Sequence, residues 1–278
     1  MKKKWLIALT ILAVCGVAVW AGAGALRQPK ESRGIFIWGA PITQPQEQQT
    51  MLSALKRLSI NAVYQEFPGD ELSDAAEYIS VLKSAYIDTY LLTGQPQWGL
   101  EADGASLIKE IDRAVSMGGQ LAGIMVDVEP YLTKEWDKDE NAVMQSYVQG
   151  MSTAYQYAEQ KGLALIACIP YWYDNSHTAA LEQLIATGCD AVAVMNYYRK
   201  NEAEHMQTEL ELARKANKEA ICIFEFQPPG KHSLTEKETY YTLGLDAAHQ
   251  SWESIKKHLG SKQLGFAYHW YASILELL

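Results

Sequence analysis

A chain of 278 residues that is 48% hydrophobic, with 8 Trp and 16 Tyr, has the material for a sizeable core, and one barrel of roughly 250 residues fits that length. The formal net charge is −9, and more negative still without Lys2, Lys3 and Lys4; that excludes a nucleic-acid partner, which requires basic surface. Four cysteines in so long a chain are not a disulfide framework, and no CxxC or HxxxH spacing marks a metal site.

The chain opens MKKKWLIALTILAVCGVAVWAGAGAL, three lysines followed by an apolar run from Trp5 to Leu26. This pattern predicts a signal peptide or a membrane anchor over residues 1–26: Ala21-Gly22-Ala23 offers a small-residue cleavage site, while about 20 apolar residues suffice to span a bilayer. Either way the rest of the chain is expected outside the cytoplasm, secreted or membrane-anchored, with the membrane a partner only through an uncleaved segment. Residues 27–33 read as a polar linker, and 34–278 as one domain.

From there short apolar runs alternate with helical stretches. The strand candidates, in order, are RGIFIWGAP, INAVYQEFPG, IDTYLLTGQPQW, LAGIMVDVEPY, LALIACIPYWYD, CDAVAVMNYYRK, EAICIFEFQPPG and LGFAYHWYAS. Between them amphipathic spacing predicts helices over 51–58, 72–84, 105–117, 134–161, 177–186, 202–216 and 235–258, as in Leu107, Ile111 and Val115. Residues 272–278 look too short for a full last helix. Eight strand–helix units imply parallel strands closing into a (β/α)8 TIM barrel. An open doubly wound sheet would need a switch-point motif, and no GxGxxG is present. Cys168, Cys189 and Cys222 read as small core residues.

On this fold, chemistry sits at the C-terminal strand ends. Those ends carry Trp38, Glu66, Asp127, Glu129, Tyr131, Tyr171, Trp172, Asn196, Tyr197, Tyr198, Glu225, His269 and Trp270, with Trp98 in the loop after the third strand. Aromatic faces pack on the C–H faces of sugar rings, while carboxylates and amides take hydroxyls. A glycan is therefore the expected ligand class. The fourth strand is the most specific: in GIMVDVEPY the period of two places Met125, Asp127 and Glu129 on one face and Ile124, Val126 and Val128 on the other. Two carboxylates about 6–7 Å apart in a lumen repel each other's ionisation, which favours one remaining protonated as an acid catalyst.

The fourth-strand GIMVDVE resembles the end of the Asp-Gly-x-Asp-x-Asp-x-Glu motif of family 18 glycoside hydrolases, the chitinases and endo-β-N-acetylglucosaminidases. The sixth-strand VMNYY resembles their Met-x-Tyr-Asp, and Trp270 falls where they carry a tryptophan under the sugar. The resemblance implies substrate-assisted hydrolysis of an N-acetylated glycan without a cofactor, Glu129 being the general acid, Asp127 orienting the acetamide and Tyr197 assisting at its carbonyl. Ala122 and Met125 replace the first two motif acids, and Tyr198 replaces the aspartate. The strand-four LDVEPY pattern (here MVDVEPY) is also similar to that of a bacterial group of glycosidase-like barrels.

Three other readings compete. A retaining glycosidase would use Glu129 as acid/base and Glu225 as nucleophile; it usually carries Asn before the strand-four glutamate, where Val128 stands here. A carbohydrate-binding barrel that has lost catalysis would account for the missing acids. A metal hydrolase would use Asp127, Glu129 and His269.

Overall fold

A computed structural model describes residues 31–278 except 70, 71, 73 and 119; the expected signal or anchor over 1–26 lies outside the described residues. Eight strands form a closed, all-parallel barrel in sequence order. They are β1 (Arg33–Ile37), β2 (Ala62–Gln65), β3 (Asp88–Thr93), β4 (Gly123–Val126), β5 (Ala164–Pro170), β6 (Ala191–Met195), β7 (Glu219–Glu225) and β8 (Leu264–His269). Closure comes from β1 pairing with β8, Gly34 opposite Ala267 and Ile35 opposite Tyr268.

The surrounding helices are α1 (Pro45–Arg57), α2 (Ala75–Ser84), α3 (Ala105–Ser116), α4 (Glu140–Lys161), the single turn α5 (Tyr173–Ser176), α6 (Thr178–Thr187), α7 (Glu204–Lys215), α8 (Gly244–Leu259) and α9 (Tyr271–Leu277). Several begin elsewhere than their apolar spacing predicts. α1 starts six residues early because Pro45 occupies its first turn, where a missing N–H costs nothing. α4 starts at Glu140 rather than 134, because the Asp139 side chain accepts from the Ala142 N–H at 3.0 Å and caps it. α8 starts at Gly244 rather than 235: Thr239 bridges to Glu225, and the Tyr240 N–H donates to the Glu225 carbonyl at 2.8 Å, holding that stretch against β7. The last residues do form a helix, and α9 packs against β1 with Tyr271 and Ile274 buried.

Alternation along the strands divides the interior in two. Phe36, Tyr64, Leu92, Met125, Ile166, Cys168, Ala193, Met195, Ile223 and Ala267 fill the lumen. Their strand neighbours, among them Ile35, Val63, Leu91, Ile124, Val126, Val194 and Phe266, pack outward against the helices. Cys168, Cys189 and Cys222 are buried free thiols. Gly94, just past β3, is required where it stands, since a Cβ there would lie 1.9 Å from the backbone oxygen of Asp127. That close approach seats the end of β4 against β3.

Candidate active site

The hydrogen-bonded ladder of β4 stops at Val126, yet the Asp127 N–H still donates to the Thr93 carbonyl at 2.8 Å, and the period of two runs on. Met125 lies in the lumen and Val128 in the outer core, so Asp127 continues the lumen side. Burial, first, and then the charge of Glu129 push the Asp127 carboxyl up to about 6; His269 and the Cys168 thiol pull the other way. Its Oδ1 is buried without a protein partner.

Glu129 heads the 3-10 turn Pro130–Leu132. That turn brings the chain back so that the Tyr131 hydroxyl donates to Oε1 of Glu129. The ring of Tyr131 is braced by Trp172 at 5.3 Å, Tyr173 at 6.2 Å and Trp136 at 6.3 Å. Tyr131 and Trp172, expected to stack on sugar, are engaged here with Glu129 and with each other. Tyr197, after β6, packs on the lumen cluster with its ring 5.9 Å from His269. Burial, then Glu225, Cys168, Asp127 and Glu129 together push its phenol far up, which keeps the hydroxyl a donor among carboxylates.

Glu225 ends β7 and is 1% exposed. Its Oε1 accepts from the Gln227 backbone N–H at 2.6 Å, and Oε2 meets His269 Nδ1 at 2.8 Å. His269 Nε2 in turn lies 2.9 Å from Trp38 Nε1. Trp270 rests on the lumen cluster, 6.0 Å from the His269 ring, and Glu66 accepts from the Gly39 N–H at 2.6 Å, tying the end of β2 to the loop after β1.

Residues from β1, β2, β4, β6, β7 and β8 thus gather at one rim, as parallel closure requires. Others do not join them. Asn196 is 1% exposed on the outer side of β6: its amide donates to the Glu202 carbonyl at 2.8 Å and its Oδ1 pairs with His205 Nδ1 at 2.9 Å. Asn196, expected to meet sugar, is thus turned away from the lumen by its own strand's alternation. Tyr171 stacks on His205 at 4.1 Å, Tyr198 lies 6.1 Å from the same ring, and Trp98 packs on the outer core. Gln227 and Cys168 were missed, although strand parity places Cys168 in the lumen and Gln227 is two residues from Glu225. Among the described residues, no group of three or more His, Cys, Asp or Glu is placed to hold a metal ion.

No protein-family model matches the chain, and no curated protein matches it in sequence. Solved structures share its fold. A GH18 chitinase from Pseudoalteromonas aurantia superposes with a TM-score of 0.57 at 12% identity, covering 87% of this chain and 94% of that one. The spore cortex-lytic enzyme SleL of Bacillus megaterium gives 0.54 at 11% identity, covering 88% and 72%. A D-psicose 3-epimerase from Clostridium cellulolyticum gives 0.51 at 10% identity, covering 88% and 89%. The chain is thus a (β/α)8 barrel of the kind seen in family 18 chitinases and other sugar-handling enzymes.

Proposed function

We propose that this protein is a glycoside hydrolase that cleaves an N-acetylated glycan by substrate-assisted acid catalysis. The observation that carries the reading is the pair just past β4: Asp127, half-buried with a buried Oδ1 lacking a protein partner, and Glu129, fixed by Tyr131. An acetamide N–H suits the free oxygen of Asp127. Its carbonyl oxygen, steered by the Tyr197 hydroxyl, then attacks the anomeric carbon while Glu129 protonates the departing glycosidic oxygen. Glu129, left as carboxylate, takes the proton of the water that opens the cyclic intermediate. The chitinase and SleL folds support this choice of substrate. We place the protein outside the cytoplasm, on the strength of its basic and apolar opening; N-terminal sequencing of the fractionated protein separates anchor from cleaved signal.

Glu129→Gln is expected to abolish hydrolysis of N-acetylated oligosaccharides and leave their affinity near wild type. Activity of the variant within a few-fold of wild type removes Glu129 as the acid. Binding without turnover by the wild type transfers the protein to the carbohydrate-binding class.

Glu225 is poorly placed as a nucleophile, because both of its oxygens are engaged and it is sealed from solvent. Azide is accordingly expected to give no rescue of Glu225→Ala. Rescue on a glycoside lacking the N-acetyl group establishes the retaining mechanism instead.

A further inference from the structure

A groove of about 380 Å³ lies between α4 and α6, within the range of about 300–1,000 Å³ usual for small-molecule sites. Its walls come from the first turns of the two helices and from the residues that lead into α6. Helices of this barrel begin where strands end, so the groove belongs to the end of the barrel that carries Asp127 and Glu129. None of the ten lining residues is an acid, a lysine or an arginine. Asn141, Gln145 and Gln183 supply amides and Ser176 a hydroxyl, groups that both donate and accept. Met144 and Val148, both buried in the core, form the floor. His177 also lines the groove; it is 5% exposed, and its Nε2 is buried without a protein partner. The Glu140 carboxylate stands 3.8 Å from that nitrogen, beyond hydrogen-bond reach. His177 gives no side-chain cap to α6, whose first turn holds no acid, so the leading N–H groups of that helix remain available as donors.

We propose that this groove is a second, non-catalytic glycan site that holds a neutral, hydroxyl-bearing stretch of the polymer cleaved at Glu129. The choice of a glycan rests on the hydrolase reading; the choice of a neutral ligand rests on the lining. An anion would lack a lysine or arginine here and would meet Glu140 beside His177. A cation would find no carboxylate in the lining, and an apolar molecule would bury the amides unpaired. Sugar hydroxyls donate and accept, as the amides do, while the C–H face of the ring suits Met144 and Val148. The groove and the acid also flank one aromatic wall. The His177 ring lies 5.2 Å from Trp136, which lies 6.3 Å from Tyr131, the donor to Glu129. A polymer can therefore occupy both places, whereas a short oligosaccharide fills one at a time.

The test uses the full chain, labelled with 15N and titrated with N-acetylchitotetraose. Backbone N–H signals over 176–183 should shift and saturate separately from those of Asp127 and Glu129. Ala179→Trp fills the groove from an exposed position, and Gln145→Ala combined with Gln183→Ala removes two exposed amides without adding bulk. Each variant should melt as wild type does and weaken the shifts over 176–183 by about 5-fold or more, leaving those of Asp127 and Glu129 unchanged. On soluble glycol chitin both should raise KM by about 5-fold with kcat kept, and on N-acetylchitotetraose neither constant should move. Absence of shifts over 176–183 overturns the proposal, and unchanged KM on the polymer in both variants overturns the role in holding substrate. Groove shifts without turnover by the wild type defeat the hydrolase reading and keep the groove; turnover without groove shifts does the reverse.

Discussion

Tyr131 reaches back two residues to place its hydroxyl on Glu129, and three aromatic rings hold it there. A hydrogen bond to the neutral carboxyl contributes about 0.5–1.5 kcal/mol to holding it in place, so Tyr131→Phe is expected to lower kcat by about 2–10-fold with KM little changed. Equal losses in kcat and substrate affinity, measured by steady-state kinetics and calorimetry, would instead make Tyr131 a sugar contact. The pairing of Asp127 and Glu129 was legible from the period of two alone. The bond from Tyr131 was not, because a 3-10 turn rather than a strand carries the chain past Pro130. The outward side of Asn196 follows from the same period. Ala193, Met195 and Tyr197 occupy the lumen side of β6, and the residue between the last two must face the helices.

At the scale of elements, apolar runs and alternation reveal strands because burial on both sheet faces writes itself directly into sequence. Helix starts are set by single contacts, such as the Asp139 cap or the tether of Tyr240 to Glu225, which spacing does not register. α7 carries a further feature that amphipathic counting treats as ordinary. Glu209 is fully buried, with both carboxylate oxygens lacking partners. Burial, opposed by its own backbone N–H and reinforced by Asp174, pushes its carboxyl up to about 8. The folded protein therefore retains a proton that the unfolded chain has released, and its stability falls as pH rises from the ordinary glutamate range toward 8. Glu209→Gln escapes this loss. Its stability relative to wild type should increase by about 1–3 kcal/mol between pH 5 and pH 8, read from denaturant titrations at both. A difference independent of pH would mean that Glu209 is ionised in the fold.

The whole molecule depends on one closure, where the first strand returns to the last. Backbone pairing of β1 with β8 supplies the seam, and Glu31 reinforces it from outside. Its carboxylate accepts from Arg33 on β1 at 2.7 Å and from Trp252 and Lys256 on α8, both at 3.1 Å. The Arg33 guanidinium in turn lies over the Phe266 ring of β8, 5.8 Å from its centroid. Burial works to raise the Glu31 carboxyl, but the bonds from Arg33, Lys256 and Trp252 outweigh it and hold it below the ordinary glutamate value. A carboxyl lowered in the fold stabilises fully above its unfolded pKa, and this contribution disappears as pH falls through the folded one. Glu31→Gln should therefore lower Tm at pH 7 by about 2–4 °C, corresponding to about 1 kcal/mol for a partly solvated network, and the deficit should vanish in acid. A deficit that persists undiminished at pH 3 would assign the clamp to packing of α8 against β1 and β8, with the charge of Glu31 playing no part in keeping the barrel shut.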